Sequence, residues 1–251
     1  MIAGLAAAAA ALWLAPAPEA ASAPPQDDPD VRVLVFTKTA GFRHASIPEA
    51  VATLRGIAAE HGIDIVHSED GASFTGANLS GYRAVVFANT TGDVLDASQQ
   101  AAMEAFVRNG GGFLGLHSAA DTEYDWPWYG ELAGAWFDNH PPGLQTARVR
   151  FADPAAVGAG EGDDAWRITD ELYNFDRNPR DRVRVLATLE TSDYVGGTMG
   201  RDHPIAWCRE YDGGRTWYTG LGHDPRVYAD PVFLRHVTRG LRYVVGADDG
   251  C

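Results

Sequence analysis

The sequence is poor in lysine, poor in cysteine and short of any basic cluster. Lys38 is its single lysine, and 20 Lys and Arg stand against 34 Asp and Glu, for a net charge of −14. Nucleic-acid binding rests on grouped cations that displace counterions from phosphate, so no nucleic-acid partner is expected. Two cysteines, Cys208 and Cys251, are too few for a disulfide scaffold or a cysteine zinc site. An oxidising compartment permits a bridge between them, but a chain end that frays argues against it. No HExxH or comparable ligand spacing is present, so a divalent metal is left open by the histidines without being called for. Internal repeats and a second linker are also missing.

What is present begins with a leader. Residues 1–23 carry an alanine-rich apolar run closed by Ala21-Ser22-Ala23, a small-residue cleavage pattern, and residues 24–30 form a Pro/Asp linker. This reads as a secretory signal peptide, although no Lys or Arg precedes the apolar run. The run is too short and too alanine-rich to span a membrane comfortably. The mature chain is expected to start near Pro24, without a membrane span, in the periplasm or outside the cell. Residues 31–246 are long enough for one domain with a sizeable core, followed by a tail at 247–251.

That domain alternates strands with capped helices. VRVLVFTK (31–38), IDIVHS (63–68), RAVVFAN (83–89) and GFLGLH (112–117) read as strands covered on both faces. Ser46-Ile47-Pro48-Glu49 and Asp96-Ala97-Ser98-Gln99 read as capping boxes that open helices. The pattern implies βαβ crossovers and a mainly parallel sheet flanked by helices, an α/β fold. QTARVRF (145–151) and VRVLATLE (183–190) look like further strands. Residues 203–223 form a hairpin around Asp212-Gly213-Gly214, and Asp230-Pro231 opens a last helix.

Ligands of such sheets sit beyond the carboxyl ends of the strands. Polar clusters fall there: Thr37 to His44, Asn89 to Asp93 and His117 to Asp121. In GGGFLGLHSAAD, an apolar strand turns at once into small residues, and His117 stands where many α/β enzymes carry a nucleophile. An imidazole there can serve as general base, general acid or metal ligand. His44 and His223 are read as following predicted strands directly, like His117, and so share its rim. His140 lies in a Phe-Asp-Asn-His-Pro loop and is a further candidate. Glu171 and Tyr173 face one side if their segment is extended. His203 is as compatible with a structural role as with function, while His61, His67 and His236 read as solvated or structural. Trp126, Trp128, Tyr129, Trp136 and Phe137 form an aromatic insertion, mostly packing, from which one or two rings could meet a sugar face.

TKTAGFRHAS, VVFANTTGDVL, FVRNGGGFLGLHSAAD, AGAWFDNHPPGLQ, DELYNFDRNPR, HPIAWCREYDGGRTWYTGLGHDP and the closing helix occur in this order. Together they resemble the ThuA-like (trehalose utilisation) family. The resemblance implies the flavodoxin-like fold of class I glutamine amidotransferases, but with His117 where those enzymes need a cysteine. Cys208 lies within a predicted strand and cannot replace it, so glutamine hydrolysis is not expected. The resemblance also implies a small-molecule sugar or glycoside, in an oxidised (3-keto) form, handled by lyase, isomerase or hydrolase chemistry. His117, His223, His44, Glu171, Tyr173 and His140 are the expected catalytic set. A non-catalytic carbohydrate-binding domain and a metal-dependent hydrolase using His117, His140 and His223 are the alternatives.

Overall fold

The structure, a computed structural model, describes residue 1 and residues 31–157 and 166–251. The expected signal peptide and linker therefore lie outside the described residues. The elements run β1 (Arg32–Phe36), α1 (Ile47–Glu60), β2 (Asp64–Ser68), α2 (Gly76–Leu79), β3 (Ala84–Ala88) and α3 (Ala97–Arg108). They continue β4 (Gly112–Leu116), α4 (Pro127–Ala133), β5 (Phe137–Asn139), β6 (Gln145–Phe151), β7 (Trp166–Asp170) and β8 (Asn174–Phe175). The chain closes with β9 (Arg184–Leu189), β10 (His203–Tyr211), β11 (Gly214–Thr219) and α5 (Pro231–Val245).

Continuous apolar runs make the central strands. Every residue of β3 and β4 is buried, as is Val33 to Phe36 of β1, because both faces of the sheet are covered. Helix α1 packs on β2 and β3, and α5 on β4 and β11. Helix α5 turns Phe233, Val237, Leu241 and Val244 inward. Its start is set by Asp230, whose carboxylate accepts from the Val232 and Phe233 amides, and its end by Gly246 in the left-handed conformation.

Nine strands form the main sheet in the order β2-β1-β3-β4-β11-β10-β9-β6-β7, and β5 pairs with β8 in a separate two-stranded sheet. The expected α/β class holds, and the sheet is mixed. From β2 to β11 neighbours run parallel, and from β11 to β7 they run antiparallel. The parallel half supplies the rim that matters: β1, β3, β4 and β11 all end on one side. The chain leaves β1 toward β2 and then returns to β3 on its other side, so a topological switch point lies between β1 and β3.

Two local expectations are corrected. Ser46 stands at the start of α1, but its side chain caps nothing. Its hydroxyl instead donates to the Gly222 carbonyl at 2.9 Å. The other capping box, at Asp96 and Gln99, is complete on both arms. Cys208 and Cys251 are bonded to each other, so the chain end is tied to β10 and does not fray.

His236 is buried on α5 against Trp217 and Phe151, and among the described residues its Nε2 has no hydrogen-bond partner. Burial, and secondarily the charge of Arg239, lowers its pKa to about 3. Unfolding raises it to an ordinary value near 6.5. The neutral ring therefore contributes stability that is intact above about pH 6.5 and is lost as pH falls toward 3. His236→Phe should flatten this acid slope by roughly 1 kcal/mol per pH unit, read from urea unfolding at pH 7 and pH 5. An unchanged slope would assign the acid sensitivity to other groups.

Candidate active site

His117 follows β4 immediately and opens a tight 3-10 turn, His117–Ala120. Its φ is +48°, a conformation that costs a non-glycine residue about 1–3 kcal/mol. The bend has room only because its neighbours are small. A Cβ on Gly115 would fall 2.9 Å from the Tyr218 ring and 3.2 Å from the Ala119 methyl. Tyr218 Oη also donates to the His117 carbonyl at 2.8 Å, which fixes the turn from below.

The His117 ring is wholly buried. Its Nδ1 lies 2.8 Å from the Gly220 carbonyl. A carbonyl only accepts, so Nδ1 carries a proton and Nε2 looks the other way. It looks at Glu171, whose Oε2 is 3.5 Å off. The same oxygen lies 3.2 Å from His223 Nδ1, and Oε1 lies 3.3 Å from His140 Nδ1. Glu171 is thus the common neighbour of three imidazoles. Burial works against its ionisation, but His117 and His223 hold its pKa well below the usual carboxylate range. The same contact raises the His223 pKa against the effect of burial.

His44 completes the group. Its ring centroid is 4.9 Å from that of His117 and 5.1 Å from that of His223, and His117 and His223 are 5.3 Å apart. The three rings are close to mutually perpendicular, at 87°, 86° and 77°. His44 Nδ1 meets Ser118 Oγ at 3.2 Å. Burial first, then the neighbouring His117 and His223, lowers its pKa to about 3.

Neither His44 nor His223 follows its strand directly, contrary to the sequence expectation. His44 lies eight residues past the end of β1 and His223 four past the end of β11. Loop contacts bring them in. The loops after β1, β3 and β4 are stitched by Ala40 N–H to Thr91 O at 2.7 Å and Gly92 N–H to Asp121 O at 2.8 Å. The His223 loop is held by Asp170, which is wholly buried and accepts from the Gly222 amide at 2.7 Å and the Asp224 amide at 2.9 Å. Burial raises its pKa, against the pull of His117 and of those amides. Asp170 was visible in sequence only as one of two adjacent carboxylates. Nothing there told which of the pair would turn to the backbone.

Tyr173 joins the group as a wall. Its ring is 4.1 Å from that of His117 and 4.2 Å from that of Phe137. Burial lifts its phenol far above the ordinary range. His203 lies behind it and is structural: Nε2 donates to the Tyr173 carbonyl at 2.7 Å, leaving Nδ1 to accept from Tyr194. His67, bonded to Thr37 at 2.7 Å, and His61, bonded to Arg242 at 3.1 Å, are also structural. The aromatic insertion is packing for the most part, with Trp126 and Tyr129 buried. The exposed ring beside the imidazoles is instead Phe42, 65% exposed and edge-on to His44 at 4.9 Å. Tyr124, partly exposed, donates to Asp121 at 2.7 Å, just past the bend.

All six candidates therefore gather at one end of the sheet. Residues 32–244 match the model of the ThuA family, described as trehalose utilisation. The chain belongs to this family. No functionally curated protein matches it. A ThuA-like protein from Bacteroides uniformis superposes with a TM-score of 0.73 at 20% identity, covering 91% of this chain and 96% of that one. A second, from Parabacteroides merdae, gives 0.65 at 20% identity, covering 87% and 91%. The fold also resembles part of a β-galactosidase from Bacillus circulans, with a TM-score of 0.55 at 14% identity, over 86% of this chain and 31% of that one. At these identities the likenesses establish the fold alone.

Proposed function

We propose that this ThuA-family chain is an exported enzyme that acts on an oxidised, 3-keto sugar or glycoside by acid/base chemistry. The observation that carries the reading is the convergence of His117, His223 and His140 on the single carboxylate of Glu171, with His44 packed against the first two. A binding groove has no use for so many titratable groups around one buried carboxylate, whereas proton transfer does. The family's description supplies the sugar, and the exposed Phe42 ring offers a face for sugar C–H bonds. The acidic surface disfavours phosphate polymers. Amidotransfer through a thioester is disfavoured too, since Cys208 lies in β10 and is bonded to Cys251.

A ketone at C3 acidifies the C2–H bond. An imidazole takes the C2 proton, and the electron pair moves toward the ketone oxygen, where a hydrogen-bond donor or a cation stabilises the enolate. The pair then returns to form the C1–C2 double bond as the C1–O bond breaks, and an acid protonates the departing oxygen. His140, with a side chain 37% exposed, is placed for exchange with solvent, whereas His117 is wholly covered. The test is to incubate the protein with a 3-keto-glucoside in D2O and follow C2 by NMR. Deuterium entry at C2, or release of the aglycone, is expected at a rate at least about 10²-fold above background. Absence of both across a panel of 3-keto-glycosides would overturn the reading and favour a sugar-binding domain.

A further inference from the structure

We propose that His44, His117, Glu171 and His223 bind one divalent transition-metal ion of the zinc or cobalt class. One ligand atom from each of the four lies within 4.8 Å of all the others. Nitrogen and oxygen ligands of zinc sit at about 2.0–2.2 Å, which separates neighbours on a tetrahedron by roughly 3.4 Å. Glu171 Oε2 lies 3.5 Å from His117 Nε2 and 3.2 Å from His223 Nδ1, the edges such a polyhedron needs.

Proton placement supplies an independent reason. His117 Nδ1–H donates to Gly220 O, so in the neutral ring Nε2 points a lone pair at a carboxylate oxygen. Two acceptors face each other in a buried space, and among the described residues neither His117 Nε2 nor His223 Nδ1 has a hydrogen-bond partner. A cation between them removes the conflict. The surrounding groups also suit ligands: metal-binding histidines commonly give their second N–H to a backbone carbonyl or similar acceptor. Gly220 O does this for His117, and Ser118 Oγ is placed to do it for His44. Asp170, adjacent in sequence, is not a ligand, because both its oxygens are taken by the Gly222 and Asp224 amides. Three imidazoles and one carboxylate select a borderline first-row ion over calcium or magnesium, which prefer all-oxygen sites.

The ion's part in turnover rests on the sugar reading above: it would act as the Lewis acid for the ketone oxygen. Its binding does not depend on that reading. The full chain should be stripped with a chelator, dialysed and titrated with Zn2+ by calorimetry and with Co2+ by visible absorption. One ion per chain is expected, with a tetrahedral or five-coordinate cobalt spectrum. Glu171→Gln and His223→Asn should each weaken binding at least about tenfold. His61→Gln, at the far end of α1, should leave stoichiometry and affinity unchanged. Circular dichroism establishes that each variant is folded, and cobalt spectra of the unaltered chain test the site without any variant. No saturable binding, or saturable binding indifferent to both ligand variants, overturns the proposal. Binding without any 3-keto-sugar chemistry would uphold the metal and sink the sugar reading. Deuterium exchange that persists in chelated protein unable to take up metal would do the reverse.

Discussion

Glu171→Gln is expected to lower turnover of a 3-keto-glycoside by about 10²- to 10⁴-fold while moving the melting temperature by no more than a few degrees. The amide matches the carboxylate in size, so packing against the imidazoles survives. What disappears is the negative charge shared by His117 at 3.5 Å, His223 at 3.2 Å and His140 at 3.3 Å. Losing that charge is destabilising to a charged His223. It also relieves the burial that opposes ionisation of Glu171, so the two effects offset. His117→Ala is a poorer test. That ring is wholly buried at a bend with φ +48°, and its removal opens a space between Tyr173 and His44. Initial rates and thermal melts of Glu171→Gln decide the matter. Full turnover would remove Glu171 from the reaction, and a melting temperature about ten degrees lower would make it a structural group.

Breaking the Cys208–Cys251 bridge should have the largest effect on stability. The bond closes a loop of 43 residues in sequence separation. Loop-closure entropy for that length corresponds to about 4 kcal/mol in the unfolded chain, a figure that native strain usually reduces. In a domain of this size each kcal/mol shifts melting by about 2–4 °C, so Cys251→Ala should melt as much as 8–16 °C lower. The closed loop includes β11, His223 and α5, which makes the site depend on it indirectly. Melts with and without reductant check the expectation. A reduced protein that melts within about 2 °C of the oxidised one would show that the bridge adds nothing. The bond also bears on location, since such pairs persist in oxidising compartments.

The parallel half of the fold was legible because buried strands are written as apolar runs and helices announce themselves at their caps. Asp96 and Gln99 form the box their spacing implies. Ser46 shows the limit of such reading. A hydroxyl at a helix start has several acceptors within reach, and here the Gly222 carbonyl, 176 residues away in sequence, takes it in preference to the helix. The strands β5 and β8 were missed because three and two residues carry no periodicity. His117 could be placed at the rim from topology because it follows β4 directly, whereas His44 and His223 are carried there by loops. Phe42 and Asp170 could not. Whether a loop phenylalanine stays exposed, or a carboxylate turns toward backbone amides, is decided by contacts that only folding creates.

The Gly222 peptide is where those contacts concentrate. Its carbonyl accepts from Ser46 Oγ, Asn89 Nδ2 and Tyr228 Oη, and its amide is held by Asp170. Residues from four separate parts of the chain therefore meet on one peptide, whose φ of +122° suits glycine alone. Because His223 is the next residue, its position is inherited from the core and not from the mobility usual in a loop. The conformational entropy of arranging the imidazoles is lost once, as the chain folds, and is not charged again against each ligand that arrives.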